Sequence, residues 1–391
     1  MNKGLIMNPV TRSVVLGFLF FVVNTGALAQ QTRTQATTTQ LLIPSPATQG
    51  NAGVDFGNAQ ALPMPTPVLS PPTSDDAVLQ ARNARIGARR TPGHAPGGVG
   101  NGRRTPVRLV SPAIANQQAQ VAPQEFALSS QPFTTNRVNA EGDDTQSYFA
   151  FRPTGKLFFN KTGLTYVCSA SLIKPGLVVT AAHCVADFGH RQFYSNWVFV
   201  PAYDNGTAPF GSWTAVSATV LTSYLDGTDA CAVSGIVCED DVAVLTLQSQ
   251  NGEYAGSRTG WYGYAWDGYG FNASGQALIT QLGYPVALDG GGLMQRNDSQ
   301  GYTASGFSNN TIIGSLMTGG SSGGPWHVNL GIQPALSGIA SGQSATRNTV
   351  IGVTSWGYTD TSLKQQGASA FTSTNIAVLV NIACTATPEA C

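Results

Sequence analysis

Three short runs hold residue types that could do covalent chemistry together. The first is "TGGSSGGPW", residues 318 to 326, where Ser321 and Ser322 stand side by side among four glycines. Glycine lets a chain turn tightly and lets a second backbone approach. Such a run is either a plain turn or a cradle that presents one hydroxyl. A serine hydroxyl is a weak nucleophile and needs an adjacent base. It also needs backbone N–H groups aimed at the charge that develops on an attacked carbonyl. The second run is "LVVTAAHCV", residues 177 to 185, which ends an apolar strand on Thr180-Ala181-Ala182-His183-Cys184. The chain has only four histidines. A lone histidine after a strand is more often structural than catalytic. Here small residues leave room around it, and a cysteine beside it can pin it, as a general base requires.

The third run is "CEDDVAVLTL", residues 238 to 247. In strict alternation Asp241, Ala243, Leu245 and Leu247 share one face of a strand. A carboxylate on an apolar face is costly unless it is paired, and a histidine would suit it. Asp240 reads as a solvated turn residue. Each run alone is a weak signal. The order His183, Asp241, Ser322, each in its own context, is a specific one.

The elements that must position these residues are strands. From about Tyr148 the chain shows short apolar or alternating runs broken by Gly, Asn and Asp, including "KLFF", "WVFVPAY", "QALITQLGYP" and "VIGVTSWGY". Their spacing is that of a sandwich or barrel, and the region is comfortable for two barrels. Only "TNIAVLVNIA", near the end, carries helical periodicity. From about Gln30 to Asn136 the chain is rich in Gln, Thr, Pro, Ala and Arg, a composition that cannot bury enough apolar surface to offset ordering entropy. It reads as a disordered pro-segment or linker, dispensable for chemistry once removed, as in a zymogen. Its Arg89-Arg90 and Arg103-Arg104 pairs are candidate processing sites.

Residues 1–29 read as an export signal. Lys3 and Arg12 precede the ten-residue apolar run "VVLGFLFFVV", and Ala27-Leu28-Ala29 is a small-x-small cleavage site. The run is too short for a membrane span, which needs about 20 residues. Expected domains are therefore 1–29 signal, 30–136 low-complexity segment and 137–391 folded domain, exported to the extracellular space or periplasm and free of the membrane after cleavage. The six cysteines, Cys168, Cys184, Cys231, Cys238, Cys384 and Cys391, are even in number. Behind a signal peptide they read as disulfides. Sequence order suggests the local loops 168–184, 231–238 and 384–391. No CxxC pair occurs, so no metal site is expected. Only 10% of residues are charged and the formal net charge is zero, which argues against a nucleic-acid partner.

These motifs resemble those of the chymotrypsin-like serine peptidases. That family carries Thr-Ala-Ala-His-Cys, an Asp-(Ile/Val)-Ala-x-Leu strand, Gly-Asp-Ser-Gly-Gly-Pro and Ser-Trp-Gly in this order. The counterparts here are Thr180 to Cys184, Asp241 to Leu245, Gly320 to Pro325 and Ser355-Trp356-Gly357. "GKLFF" at 155, "VCSASLI" at 167 and "GYP" at 283 are similar to the bacterial branch that includes the glutamyl endopeptidases. The match covers roughly residues 150 to 385. It implies an all-β fold of two six-stranded antiparallel Greek-key barrels with a C-terminal helix. It implies His183 as general base, Asp241 as its orienting group and Ser322 as nucleophile, with the N–H groups of Gly320 and Ser322 as the oxyanion hole. Ser355, Trp356 and Gly357 would pair with extended substrate, and Leu316 and Met317 would line the primary pocket. No cofactor is implied, and the partners would be protein or peptide substrates met by a monomer. Leu316 at the pocket floor predicts an apolar residue before the cut bond.

The sequence also departs from the family. Ser321 replaces the Asp that binds the freed N-terminus in animal digestive enzymes, and Thr318 replaces a cysteine. Met317 and Ser355 stand where glutamyl enzymes place Thr and His. A catalytically inactive homologue acting as a binding module is the alternative function, but no triad member is lost. An esterase of the α/β-hydrolase kind would place its nucleophile before the acid and base, the reverse of this order.

Overall fold

The computed structural model describes residues 38–42, 53–66, 92–110, 132–140, 142–229, 239–303, 310–331, 346–357 and 364–391. The apolar runs become two closed barrels. The first contains β1 (Thr154–Lys161), β2 (Leu164–Leu172), β3 (Leu177–Thr180), β4 (Ser195–Pro201), β5 (Trp213–Leu221) and β6 (Ala243–Leu247). Hydrogen bonding follows the order β5-β4-β1-β2-β3-β6 and closes through β5–β6. The second contains β7 (Gln276–Gly283), β8 (Gln295–Thr303), β9 (Asn310–Gly314), β10 (Pro325–Val328), β11 (Thr349–Gly357) and β12 (Gln365–Ala370). Its order, β10-β7-β8-β9-β12-β11 with closure through β10–β11, is the first order rotated by one place. All pairings within the two barrels are antiparallel. Both six-stranded barrels therefore wind the same way, and closure leaves neither an open edge.

Leu157, Phe158 and Phe159 are all fully buried, although alternation alone would hide every second one. The residues facing away from the barrel interior need their own cover. Phe158 meets Phe56 edge-to-face at 4.9 Å and Tyr203 at 5.6 Å. In the second barrel Ile279, Ile313, Trp326, Val328 and Ile351 form a separate buried cluster. The expected C-terminal helix spans Ile376–Ala386 and opens on Asn375, whose side chain accepts the N–H of Ile376. Its end is closed by the Cys384–Cys391 disulfide. The Gly176 N–H then donates to Ala390 O at 2.7 Å, tying that end to the first barrel.

The expectation of a disordered segment over 30–136 does not extend to its described pieces. Thr38–Leu42 pairs with β5. Gly93–Ala95 pairs with Gly263–Trp266, and that strand pairs in parallel with β11. Phe133–Arg137 pairs with β8, so the second barrel's sheet begins before the expected domain start at 137. The physical reason is that glycine-rich chain can lie flat where a side chain could not. A Cβ at Gly97 would stand 2.4 Å from Gly263 N, and one at Gly100 would stand 2.2 Å from Gly260 N. The arginines are engaged too: Arg103 pairs with Glu253, and Arg104 with Asp144 at 2.5 Å. Low apolar content removes the capacity to build a core, but not the capacity to coat one built elsewhere.

Candidate active site

His183 lies in a single turn, Ala182–Cys184, directly after β3. The Cys168–Cys184 disulfide ties that turn to β2, as the local-loop reading expected. Cys384–Cys391 also forms, while residues 231 and 238 lie outside the described residues. Asp241 stands two residues before the start of β6 and is 1% exposed. His183 Nδ1 donates to Asp241 Oδ2 over 2.7 Å, since a carboxylate only accepts. The backbone N–H of His183 donates to Oδ1 at 2.8 Å. Ser355, on β11 of the second barrel, donates its hydroxyl to Oδ2 at 2.6 Å. The Asp241 N–H donates to Ser369 Oγ on β12 at 3.0 Å. One residue thus binds the histidine turn of the first barrel to two strands of the second, through its carboxylate to β11 and its backbone N–H to β12.

Asp240 is not a bare turn residue. Its Oδ1 accepts from Asn375 Nδ2 at 3.0 Å, and its N–H donates to Asp229 Oδ2 at 3.0 Å. Burial, followed by the charge of Asp240, pushes the Asp229 carboxyl up to about 7.

The two serines have different surroundings. Ser321 donates its hydroxyl to Thr318 O at 2.7 Å and accepts from Gln366 Nε2 at 3.3 Å. Ser322 is fully buried and its hydroxyl has no partner among the described residues. His183 Nε2 is buried and unpartnered in the same way. Several contacts draw Ser322 to the histidine turn. Ser169, next to Cys168, donates its N–H to Ser322 O at 2.7 Å. Gly323 N–H donates to Thr354 O at 2.7 Å, one residue before Ser355. A Cβ at Gly323 would stand 2.0 Å from Thr180 Oγ1 and 2.8 Å from Ala181 N. Only glycine lets the serine loop come this close to the strand that delivers His183.

Gly320 adopts φ +93°, and a Cβ there would stand 2.6 Å from Tyr284 O. Among the described residues, the N–H groups of Gly320 and Ser322 donate to nothing. The donors on either side of Ser321 are thus uncommitted among the described residues.

Of the residues expected to line a substrate pocket, Trp356 and Gly357 lie on β11 beside β12, and Leu316 and Met317 lead into the serine loop. Gly357 pairs with Gln366 across β11 and β12. Trp356 lays its indole over Gly367, where a Cβ would stand 1.9 Å from the ring. Met317 is buried, and its N–H donates to Ser315 Oγ at 3.1 Å. Leu316 is half-buried, with its N–H directed to Thr135 Oγ1 at 3.5 Å. Gln366 is the residue that sequence reasoning missed. Its Oε1 accepts from Gln281 Nε2 at 2.6 Å and Ser315 Oγ at 3.3 Å, so its Nε2 is the end left for Ser321. A glutamine in a strand sends no signal; only the register against Gly357 brings it here. Cys168, His183 and Cys184 offer three potential ligand atoms within 4.8 Å, but the two sulfurs are joined as a disulfide and are not thiolates.

With this geometry in view, comparison with solved structures returns proteases of the two-barrel kind. The chain is similar to the bacterial chymotrypsin-like serine proteases. A thermostable serine protease, AL20, from an extremophilic microorganism shares 26% identity over 60% of this chain and 97% of its own, with a TM-score of 0.47. The protease Anisep from Arthrobacter nicotinovorans shares 26% identity over 61% of this chain and 95% of its own, at a TM-score of 0.45. A Glu endopeptidase shares 17% identity over 65% of this chain and 96% of its own, also at 0.45. No protein-family model and no curated protein matches the chain.

Proposed function

We propose that this protein is a secreted serine endopeptidase that cuts peptide bonds through an acyl-enzyme, with Ser322 as nucleophile, His183 as general base and Asp241 as its orienting group. The observation that carries the reading is the contrast between the serines. Ser321 has committed its hydroxyl to Thr318 O, whereas the Ser322 hydroxyl and His183 Nε2 are buried with no hydrogen-bond partner among the described residues. As Ser322 Oγ attacks the peptide carbonyl, His183 Nε2 takes the hydroxyl proton. The resulting oxyanion accepts the N–H groups of Gly320 and Ser322. His183⁺ is held by Asp241 and then gives the proton to the departing amine as the C–N bond breaks. Water repeats the sequence on the ester and restores Ser322.

The two disulfides fit an oxidising compartment, and no described helix is long and apolar enough to cross a membrane. A fluorophosphonate reporter should label Ser322 covalently. Ser322→Ala should abolish both labelling and hydrolysis, whereas Ser321→Ala should retain most of each. Equal loss in the two variants would overturn the assignment. No labelling of any form would favour the inactive binding module instead.

A further inference from the structure

Residues 60–66, Gln-Ala-Leu-Pro-Met-Pro-Thr, cross the candidate site. Gln60 and Ala61 run parallel to Tyr166 and Val167 on β2, one residue before the disulfide that anchors the histidine turn. The Leu62 N–H donates to Val167 O at 3.2 Å. Leu62 O then faces Gly319, where a Cβ would stand 3.2 Å from it. Three residues later Gly357 N–H donates to Pro65 O at 3.0 Å. The segment therefore passes from the β2 side of the Ser322 loop to the β11 side, over the glycines that precede the serine. Gly357 is the backbone expected to pair with extended substrate, and its donor is already taken.

The side chain between these contacts is Met64. Gln366 Nε2 lies 3.3 Å from Met64 Sδ, and a Cβ on Gly357 would stand 2.6 Å from the same sulfur. Gln281 and Ser315 hold Gln366 by its carbonyl, so the amide cannot turn its oxygen toward the cleft without losing both bonds. The pocket thus offers an N–H donor. Such a donor favours an uncharged side chain that carries an acceptor, repels an ammonium or guanidinium, and is too little to compensate a buried carboxylate.

We propose that residues 60–66 are a strap that occupies the substrate cleft of this chain, and that Gln366 makes its pocket selective for methionine and glutamine. The proposal rests on the serine-peptidase reading of the same site. Pro63 and Pro65 flank Met64, and Pro67 follows. They fix φ and favour an extended left-handed form, so holding the strap in place costs little conformational entropy. They also remove two N–H donors, so the strap makes fewer backbone bonds than a substrate strand could. The bond after Met64 leads to a tertiary proline nitrogen, whose ring crowds the attacked carbonyl, and this resists cleavage in place. Covalent attachment supplies an effective concentration on the order of millimolar, so weak contacts suffice.

Met64→Lys, made in the full chain, sets an ammonium against the Gln366 donor and should lift the strap. Fluorophosphonate labelling of Ser322 should then be at least about tenfold faster than in the wild type, the ratio that 1.4 kcal/mol of contact produces. Equal labelling rates would overturn the strap. A fluorescent QALPMPT peptide, titrated to a concentration on the order of millimolar to match the tethered strap, should bind the Met64→Lys chain and not the wild type. That result supports the strap even if Ser322 never reacts, whereas binding to neither chain overturns it. In the Met64→Lys background, peptides with Met or Gln before the cut bond should be hydrolysed faster than those with Lys, Arg or Glu. Gln366→Leu should erase the advantage of Gln over Leu at that position, and an unchanged ratio would overturn the role of Gln366.

Discussion

Asp241→Asn tests the site at the group that holds its parts together. The carboxylate is 1% exposed and accepts from His183 Nδ1 at 2.7 Å, from the His183 N–H at 2.8 Å and from the Ser355 hydroxyl at 2.6 Å. Asparagine has the same shape but one oxygen. Turning its amide nitrogen toward the His183 backbone N–H would oppose two donors and leave one unpaired, at about 1–3 kcal/mol. The nitrogen therefore faces Nδ1 and Ser355. The Ser355 hydroxyl can rotate to accept; Nδ1 can accept only by giving up its hydrogen. The imidazole proton then moves to Nε2, the nitrogen that takes the Ser322 proton in the proposed mechanism. The fold should survive, because volume and two of the contacts remain. Peptide hydrolysis should fall by about 10⁴ in kcat/KM, or about 5.4 kcal/mol of transition-state stabilisation. Steady-state kinetics on chromogenic peptides measures the loss, and nitrogen chemical shifts of the imidazole report the tautomer. Activity within tenfold of wild type, or an imidazole still protonated at Nδ1, would refute the reasoning.

Further outcomes separate packing from chemistry. Gly323→Ala should destabilise far more than Gly331→Ala in urea unfolding. Both glycines have left-handed φ, +76° and +79°, but a Cβ at 323 meets Thr180 Oγ1 at 2.0 Å and Ser169 O at 2.5 Å, and one at 331 meets nothing. The open site should cost only the left-handed strain, about 1–3 kcal/mol. Replacing Cys168 and Cys184 by serine opens a loop with a sequence separation of 16 and should lower stability by roughly 3 kcal/mol. Lys156 lines a cavity of about 30 Å³ and donates to Gly291 O; burial pushes its ammonium down to about 7 from 10.5. Between those values the unfolded chain binds a proton that the native chain does not, so stability should rise as pH increases from about 7 toward 10.5. Lys156→Met should flatten that rise and raise stability at and below pH 7, as read by thermal unfolding across the pH range.

His183, Asp241 and Ser322 could be singled out as candidates in the sequence because each carries its own local reason. A histidine follows small residues at a strand end, a carboxylate opens an apolar strand, and a serine sits where only glycines permit a close approach. The strand-rich character and the terminal helix were legible too, since hydrophobic spacing is a property of neighbours in the chain. Barrel closure was legible only through the family resemblance, because β5–β6 and β10–β11 join residues that no local pattern links. Ser369 behind Asp241 was not legible, nor was Gln366, whose glutamine side chain means nothing until β12 lies beside Gly357. The 30–136 segment shows the limit most plainly. Its composition predicts no core of its own, yet among its described residues Phe56 covers Phe158 and Met64 reaches Gln366. Composition reports what a segment can bury within itself. What it can cover on another surface depends on shape and on donors already in place, and those exist only after the barrels have closed.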